Sequence, residues 1–404
     1  MKGSGLKLAS VLALCVWLWS PTYAQAIEPI KLVYGEALSG IFQDVGERSV
    51  KGAELAIKAI NKQGGLLGRE VKLFVFDHEF KMDITTRKAT KYLLEEKAKY
   101  FMGGTGSPIA NAMSAFGEKN KVLVFTYMWP PQSLTGPKCH RYFFRPSAST
   151  NMQSYALAHW VNMKRFKKVY CIAQDWNFGK EATEAFINKL NEINPSIKIV
   201  GQILHKPGEK EYAPYVSQAI AAKPDVIFTP NWGNDLRLVI KQGLSLGVKV
   251  PWATYFLGDV NTITAIGNDD GLIGSVAAED YQLTIPTEEN KKFREEFYKE
   301  YGFYPTWTDG KAYNTVLYWA EAVKAAGKDD QEAVINAWEG LKFKGVSGEI
   351  YMRPCDHQGL RPVWLAEIVK KSPFFNHAHV GEPMMVPYKD IDTPIEKTGC
   401  KRCR

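Results

Sequence analysis

The segment Gly103-Gly104-Thr105-Gly106-Ser107-Pro108 carries the clearest chemical signal in the chain. Its glycines let backbone approach a ligand closely. Ser107 stands at the start of a predicted helix, Pro108–Glu118, where unpaired N–H groups and the helix dipole favour an anion. A carboxylate there could take the Ser107 hydroxyl and one or two backbone N–H groups, with Thr105 and Gly106 beside it. The same residues also read as a serine N-cap followed by proline at the first helical position. Aromatic residues recur in other turns: Tyr127, Met128 and Trp129 before Pro130-Pro131, Phe178 in Trp176-Asn177-Phe178-Gly179, Trp232 in Asn231-Trp232-Gly233, and Phe256. Such rings suit a flat or bulky apolar ligand, through stacking and area burial. They equally fit a core, because 12% of the chain is aromatic.

Catalytic patterns are missing. The chain has no G-x-x-x-x-G-K-[ST] and no H-E-x-x-H. The glycine turn follows the third predicted strand, whereas a dinucleotide turn follows the first. His377 and His379 are too isolated to suggest a metal site, and Asp356-His357 reads as a turn with internal hydrogen bonds. No catalytic residue, metal or cofactor is expected.

These turns need elements to hold them. Ile30–Tyr34 reads as a strand, and Ser49–Asn61 as a helix with Ala53, Ala56, Ile57 and Ile60 on one face. Strands Val71–Phe76, Tyr100–Met102 and Val122–Phe125 then alternate with helices Asp83–Glu96 and Pro108–Glu118. That alternation predicts right-handed βαβ units and a parallel sheet. After extended Arg141–Arg145 a second α/β unit runs to Val250–Thr254. Helices Glu288–Tyr301, Lys311–Ala326 and Gln331–Leu341 follow, then Glu349–Met352 and Val363–Val369 as a hairpin, and a Pro-rich tail without clear period. Ligands of open parallel sheets bind beyond the carboxyl ends of strands, which is where the glycine turn and the aromatic turns fall.

The order of these pieces resembles the leucine/isoleucine/valine-binding family of periplasmic solute receptors for ABC transporters. The resemblance spans about Ile30 to Val369. It rests on Ser39-Gly40, Ala59-Ile60-Asn61-Lys62-Gln63-Gly64-Gly65, Gly68, Asp77, Phe144-Arg145 and the Tyr313 helix. It implies a type I binding-protein fold: two Rossmann-like α/β lobes joined by three crossovers and closing on a small molecule. The lobes would be 27–143 with 282–343, and 144–281 with 344–404. The residue matching Ser107 holds the ligand carboxylate in that family, and Phe178 and Trp232 match aromatic ligand contacts. Two departures stand out. Pro130 replaces a hydroxyl residue, and the acid that holds an α-ammonium is replaced at Tyr255 or Phe256. An unpaired buried ammonium is costly. Asp175, Asp235, Asp259 and Glu36 are the acids that could compensate. An aromatic or large apolar carboxylate is therefore expected ahead of a branched-chain or other hydrophobic amino acid. A ligand sensor acting on a signalling partner is the alternative within the same fold.

Composition agrees with an exported globular protein. Lys2 and Lys7 precede an apolar run, Leu8–Trp19, and Ala24-Gln25-Ala26 offers a cleavage site, so residues 1–26 read as a signal peptide. Loss of Lys2 and Lys7 takes the formal charge from +8 to +6. That excess is spread over helix faces, so no nucleic-acid partner is expected. The expected partners are a small-molecule ligand and an inner-membrane permease, with the chain a monomer in the periplasm. In that oxidising compartment Cys139, Cys171, Cys355, Cys400 and Cys403 make an odd set. Cys171 sits in an apolar strand. Cys355 is expected to join Cys400 or Cys403, with Cys139 taking the remaining tail cysteine or staying free.

Overall fold

The computed structural model describes Met1 and residues 28–128 and 131–403. The expected signal peptide, apart from Met1, and the Trp129-Pro130 pair lie outside the described residues.

The first unit runs β1 (Ile30–Glu36), α1 (Gln43–Lys62), β2 (Val71–Asp77), α2 (Met82–Glu95), β3 (Tyr100–Gly103), α3 (Ser107–Asn120), β4 (Leu123–Thr126) and β5 (Phe143–Phe144). Its strands are all parallel, in the order β2-β1-β3-β4-β5. Alternate residues of each strand serve opposite faces of this sheet. Leu32, Tyr34 and Met102 pack toward the face covered by α1, while Val33, Phe101 and Val124 pack with Ala89, Ile109 and Met113 of α2 and α3. Burial on both faces explains why the strands read as near-continuous apolar runs.

The second unit runs α4 (Thr150–Met163), β6 (Lys168–Gln174), α5 (Asn177–Ile193), β7 (Lys198–His205), α6 (Ala213–Ala221), β8 (Val226–Thr229), α7 (Gly233–Ser245), β9 (Trp252–Thr254), α8 (Val260–Ile266) and β10 (Val276–Glu279). The chain then returns through α9 (Glu288–Tyr301), α10 (Trp307–Ala326) and α11 (Gln331–Trp338), which rejoin the first unit. Gly52 lets α1 and α10 touch, because a Cβ there would lie 2.1 Å from the Asp309 carbonyl oxygen. A small sheet, β11 (Lys342–Gly345), β12 (Gly348–Met352) and β13 (Gly359–Leu360), precedes β14 (Val363–Val369) and β15 (His379–Val386). Two short helices, α12 (Tyr388–Ile391) and α13 (Ile395–Thr398), end the fold. The second sheet has the order β15-β14-β10-β9-β8-β6-β7.

Three expectations are corrected. Glu349–Met352 and Val363–Val369 do not form a hairpin: β12 pairs with β11 and β13, whereas β14 runs antiparallel to β10 and β15. The tail is not structureless. It supplies β15, an edge strand that tolerates Pro383 because the edge needs no donor there. Finally α1 begins at Gln43, six residues before Ser49.

Where the chain passes between the sheets, charged side chains are buried together. Lys311 pairs with Glu279 and, at 2.8 Å, with Asp280, and Arg361 lies 3.1 Å from Asp280. Burial favours a neutral Asp280, yet Arg361 and Lys311 hold it down at about 2. Arg145, at the first passage, donates to the Pro131 carbonyl at 2.5 Å and to Gln358 Oε1 at 2.7 Å. Such groups are costly to leave unpaired, so they fix the path of each passage.

The structure joins Cys355 to Cys403 and Cys139 to Cys400, and leaves Cys171 a buried free thiol. Cys400 and Cys403 thus have different partners, and their CxxC spacing holds no metal. Among the described residues no cluster of three or more His, Cys, Asp or Glu could bind one. His357 Nδ1 donates to the Phe143 carbonyl at 3.0 Å and its Nε2 lies 2.8 Å from Glu339 Oε1, and Asp356 pairs with Arg353, so both serve the turn. No described helix is long and apolar enough to cross a membrane.

Candidate functional site

The cleft between the sheets is closed by the starts of three helices. Gly106 caps α3 at φ 94°, a left-handed conformation that favours glycine. Ser107 is therefore the first helical residue rather than the cap, and Pro108 the second. Trp176 and Trp232 are the extended cap residues of α5 and α7 in the opposite unit. Gly106, Ser107, Met128, Trp176, Phe178, Trp232 and Phe256 line one cavity. Each helix start brings unpaired N–H groups and the positive end of a dipole to this point. Among the described residues the cavity's only hydroxyl is that of Ser107, and none of them hydrogen-bonds to it.

The rings are tightly arranged. Trp176 and Trp232 lie 5.9 Å apart and 19° from parallel. Phe42, in the turn after Ser39-Gly40, stacks on Trp232 at 4.2 Å and 18° and touches Phe80 at 4.7 Å. Phe256 packs on Trp307 at 4.9 Å. The ion pair Asp44–Arg237, at 2.6 Å, ties the start of α1 to α7 beside this stack.

Of the residues expected to bind a ligand, Gly106, Ser107, Met128, Phe178, Trp232 and Phe256 are brought together in the lining of this cavity. Thr105 and Tyr127, also expected at the site, are placed outside this cavity. Both are fully buried behind the turn, and neither reaches the cavity. The Thr105 N–H donates to Glu36 Oε1 at 3.1 Å. Tyr127 packs its ring on Gly104, where a Cβ would come within 1.9 Å. Trp129 lies outside the described residues. Trp176 was missed as a wall residue, and Phe42, which is not part of the lining, was missed as the ring that stacks on Trp232. Trp176 stood in the quoted turn beside Phe178, and Phe42 follows the Ser39-Gly40 motif by two residues.

None of the four acids suggested for an ammonium faces the cavity. Asp175 pairs with Lys180 at 2.7 Å, and Asp235 accepts from Gln174 at 2.6 Å and from the Gly208 N–H. Asp259 caps α8 through Asn261 and Thr262. Glu36 lies under the glycine turn, where burial pushes its carboxyl up to about 7 against hydrogen bonds from Thr105 and Ala37. Tyr255 is also interior, with its hydroxyl bonded to Ser154 at 2.5 Å. Phe256 is the residue that meets the cavity. The lining among the described residues holds no charged side chain.

The comparisons with known proteins agree with this architecture. The family model described as "Periplasmic binding protein" matches residues 29–373. Leu/Ile/Val-binding protein homolog 4 of Brucella abortus is 26% identical over 362 residues, covering 85% of each chain. The closed Leu-, Ile-, Val-, Thr- and Ala-binding protein of Brucella ovis superposes with a TM-score of 0.83 at 24% identity, over 91% of this chain and 97% of that one. A solute-binding protein of R. palustris in complex with benzoate superposes with a TM-score of 0.80 at 20% identity, over 93% of this chain and 100% of that one. One from Rhodopseudomonas palustris BisB5 with 3,4-dihydroxybenzoic acid gives 0.80 at 20%, over 91% and 99%. At these identities the structural likeness is one of fold. The family match covers most of the chain, and the chain belongs to the periplasmic binding protein family.

Proposed function

We propose that this protein carries a small aromatic or large apolar carboxylate, without an α-ammonium, to an inner-membrane ABC permease. Residues 1–26 would direct its export, and residues 27–143 with 282–343 would close as one lobe on 144–281 with 344–404. The carrying observation is the lining itself, which among the described residues has aromatic walls, one free hydroxyl at a helix start and no carboxylate side chain.

Three helix N-termini and Ser107 favour a negative ligand group. Trp176, Phe178, Trp232 and Phe256 favour a flat apolar body. An α-ammonium would be buried here without an acid, which opposes leucine-type ligands despite the names of the Brucella relatives. The benzoate and dihydroxybenzoate held by two neighbours of this fold supply the probes.

Calorimetry with benzoate, 3,4-dihydroxybenzoate, L-leucine and its deaminated analogue 4-methylpentanoate tests the reading. The aromatic carboxylates should bind best, and 4-methylpentanoate should bind better than L-leucine. Tighter binding of L-leucine than of every ammonium-free probe would show that an acid reaches the ligand after all.

A further inference from the structure

The glycine turn that bears Ser107 is seated on a carboxyl. Glu36, the last residue of β1, is fully buried. Its Oε1 accepts from the Thr105 N–H and from the Ala37 N–H, both at 3.1 Å. Gly106 and Ser107, the next two residues of the turn, line the cavity. Two residues of chain span at most about 7 Å, so the carboxyl lies within roughly 10 Å of the Ser107 N–H. The turn is also confined from its sides. A Cβ on Gly106 would meet Phe80 at 2.2 Å, and one on Gly104 would meet Tyr127 at 1.9 Å. Glu36 itself is absent from the lining, so it acts on the site through the turn.

No cation balances this carboxyl. Among the described residues the only basic group that pairs with it is His78, whose Nε2 is 3.9 Å away. Burial pushes that imidazole down to about 4, so it is neutral near pH 7. The Tyr34 hydroxyl, from β1, lies 3.3 Å from Glu36 Oε2 and 2.7 Å from Ser49 of α1. Tyr127, after β4, meets the Tyr34 ring edge-on at 6.3 Å. Burial raises both phenols above their ordinary range, so both stay neutral. Asp77 stands beside Glu36 on β2, and its carboxylate accepts from the Leu38 and Glu79 N–H groups. Lys88 of α2 donates to the Asp77 carbonyl at 2.6 Å, not to Glu36. Burial without a counter-charge pushes the Glu36 carboxyl up to about 7. An amide would serve the same two N–H groups, so what the acid adds is a charge that comes and goes near neutrality.

We infer that Glu36 is the positioning residue of the anion end of this site, and that a ligand carboxylate across the turn excludes its charge, so that Glu36 takes up a proton when the ligand binds. This deepens the proposed function and rests on its placement of the ligand carboxylate at the start of α3. Two unit charges about 10 Å apart, at an effective dielectric of about 20, repel enough to change affinity roughly ten-fold. Below about pH 7 Glu36 is neutral with or without ligand, and affinity is level. Above about pH 7 the free protein has lost the proton and must recover it to bind, so affinity falls.

Calorimetric titrations of benzoate and of its uncharged analogue benzamide test it, between about pH 6 and about pH 9, in two buffers of different ionisation heat. Benzoate stays ionised throughout, since carboxyls ordinarily titrate well below this range. Wild-type affinity for benzoate should be level below about pH 7 and fall roughly ten-fold above it, with a fraction of a proton taken up per ligand. Affinity for benzamide should be level. Glu36→Gln keeps an acceptor for Thr105. It should remove both the slope and the proton uptake, and at the alkaline end it should bind benzoate more tightly than the wild type. Neither a merely structural role nor poor folding yields such a gain. Glu36→Ala leaves the Thr105 N–H without its acceptor and should weaken benzoate binding at every pH. Unaltered affinity in Glu36→Ala overturns the positioning role. A level wild-type profile for benzoate, or a slope that survives Glu36→Gln, overturns the proton coupling and leaves the proposed carboxylate ligand intact. An equal slope for benzamide assigns the pH effect to the fold of the turn and also overturns the coupling. Binding of benzamide without benzoate at any pH, or of neither by any form, removes the ligand carboxylate and the inference with it.

Discussion

At the residue scale the polar end of the site rests on Ser107. It was legible because glycines, a hydroxyl and proline in that order mark a helix start near a ligand. What the sequence could not convey was direction. Tyr127 looked like a wall residue, but the missing side chain of Gly104 lets its ring fold inward. Phe42 carried no signal of its own in the sequence, and only the fold puts it on Trp232. Ser107→Ala should weaken benzoate binding by about 1–3 kcal/mol, since a buried carboxylate oxygen would lose its donor. Trp232→Ala should cost at least as much through lost area and stacking. Calorimetry reads both. Unaltered affinity in both variants would place the ligand elsewhere in the cleft.

At the scale of elements, long periodic helices and buried parallel strands were readable because their patterns repeat over many residues. Glu288–Tyr301 was predicted to the residue. The failures were short or cross-sheet pieces. The supposed hairpin partners β12 and β14 are both apolar strands separated by a turn, and nothing local says that one joins a different sheet. The tight fit of α1 on α10 was also invisible. Gly52→Ala would push a methyl into the Asp309 backbone, and should lower stability by roughly 1–3 kcal/mol in chemical denaturation. Under the glycine turn, Glu36 and His78 make an opposed pair, with His78 Nε2 3.9 Å from Glu36 Oε1. Burial raises Glu36 from 4.5 to about 7, so the folded state binds the extra proton, and this contribution is lost as pH rises through about 7. Burial lowers His78 from 6.5 to about 4, so its contribution is present above 6.5 and lost as pH falls through about 4. Between pH 4.5 and 6.5 the two slopes cancel in part. Glu36→Gln should therefore make thermal stability rise more steeply with pH in that window than in the wild type. A slope that does not change would mean that Glu36 titrates at its ordinary value.

At the scale of the whole molecule, two α/β units were evident in the order of elements and three passages between them were implied by the family resemblance, whereas the role of the tail was not legible. The tail leaves the second sheet at β15 and lies along α4, where Asn151 donates to Thr393 at 3.0 Å. It then ends at two disulfides. One reaches Cys139, just before β5 of the first sheet, and the other reaches Cys355, in the turn between β12 and β13. The Arg145 N–H donates to His357 in that same turn at 2.9 Å. The tail is thus a covalent strap behind the passages between the two sheets. Cys355 and Cys403 are 48 residues apart, a loop whose closure contributes about 2–4 kcal/mol in the chain-entropy account. Cys355→Ser with Cys403→Ser should lower the melting temperature by several degrees in calorimetry. It should leave the Cys139–Cys400 bond in place by mass mapping. The Arg353–Asp392 pair at 2.6 Å and the Arg402–Glu339 pair at 2.9 Å hold the same segment without sulfur. Arg402–Glu339 is a partly exposed pair of modest strength, and the buried Arg353 is already held by Asp356, so neither pair should replace the bond. An unchanged melting temperature would assign the strap's hold to those ion pairs and to α12 on α4.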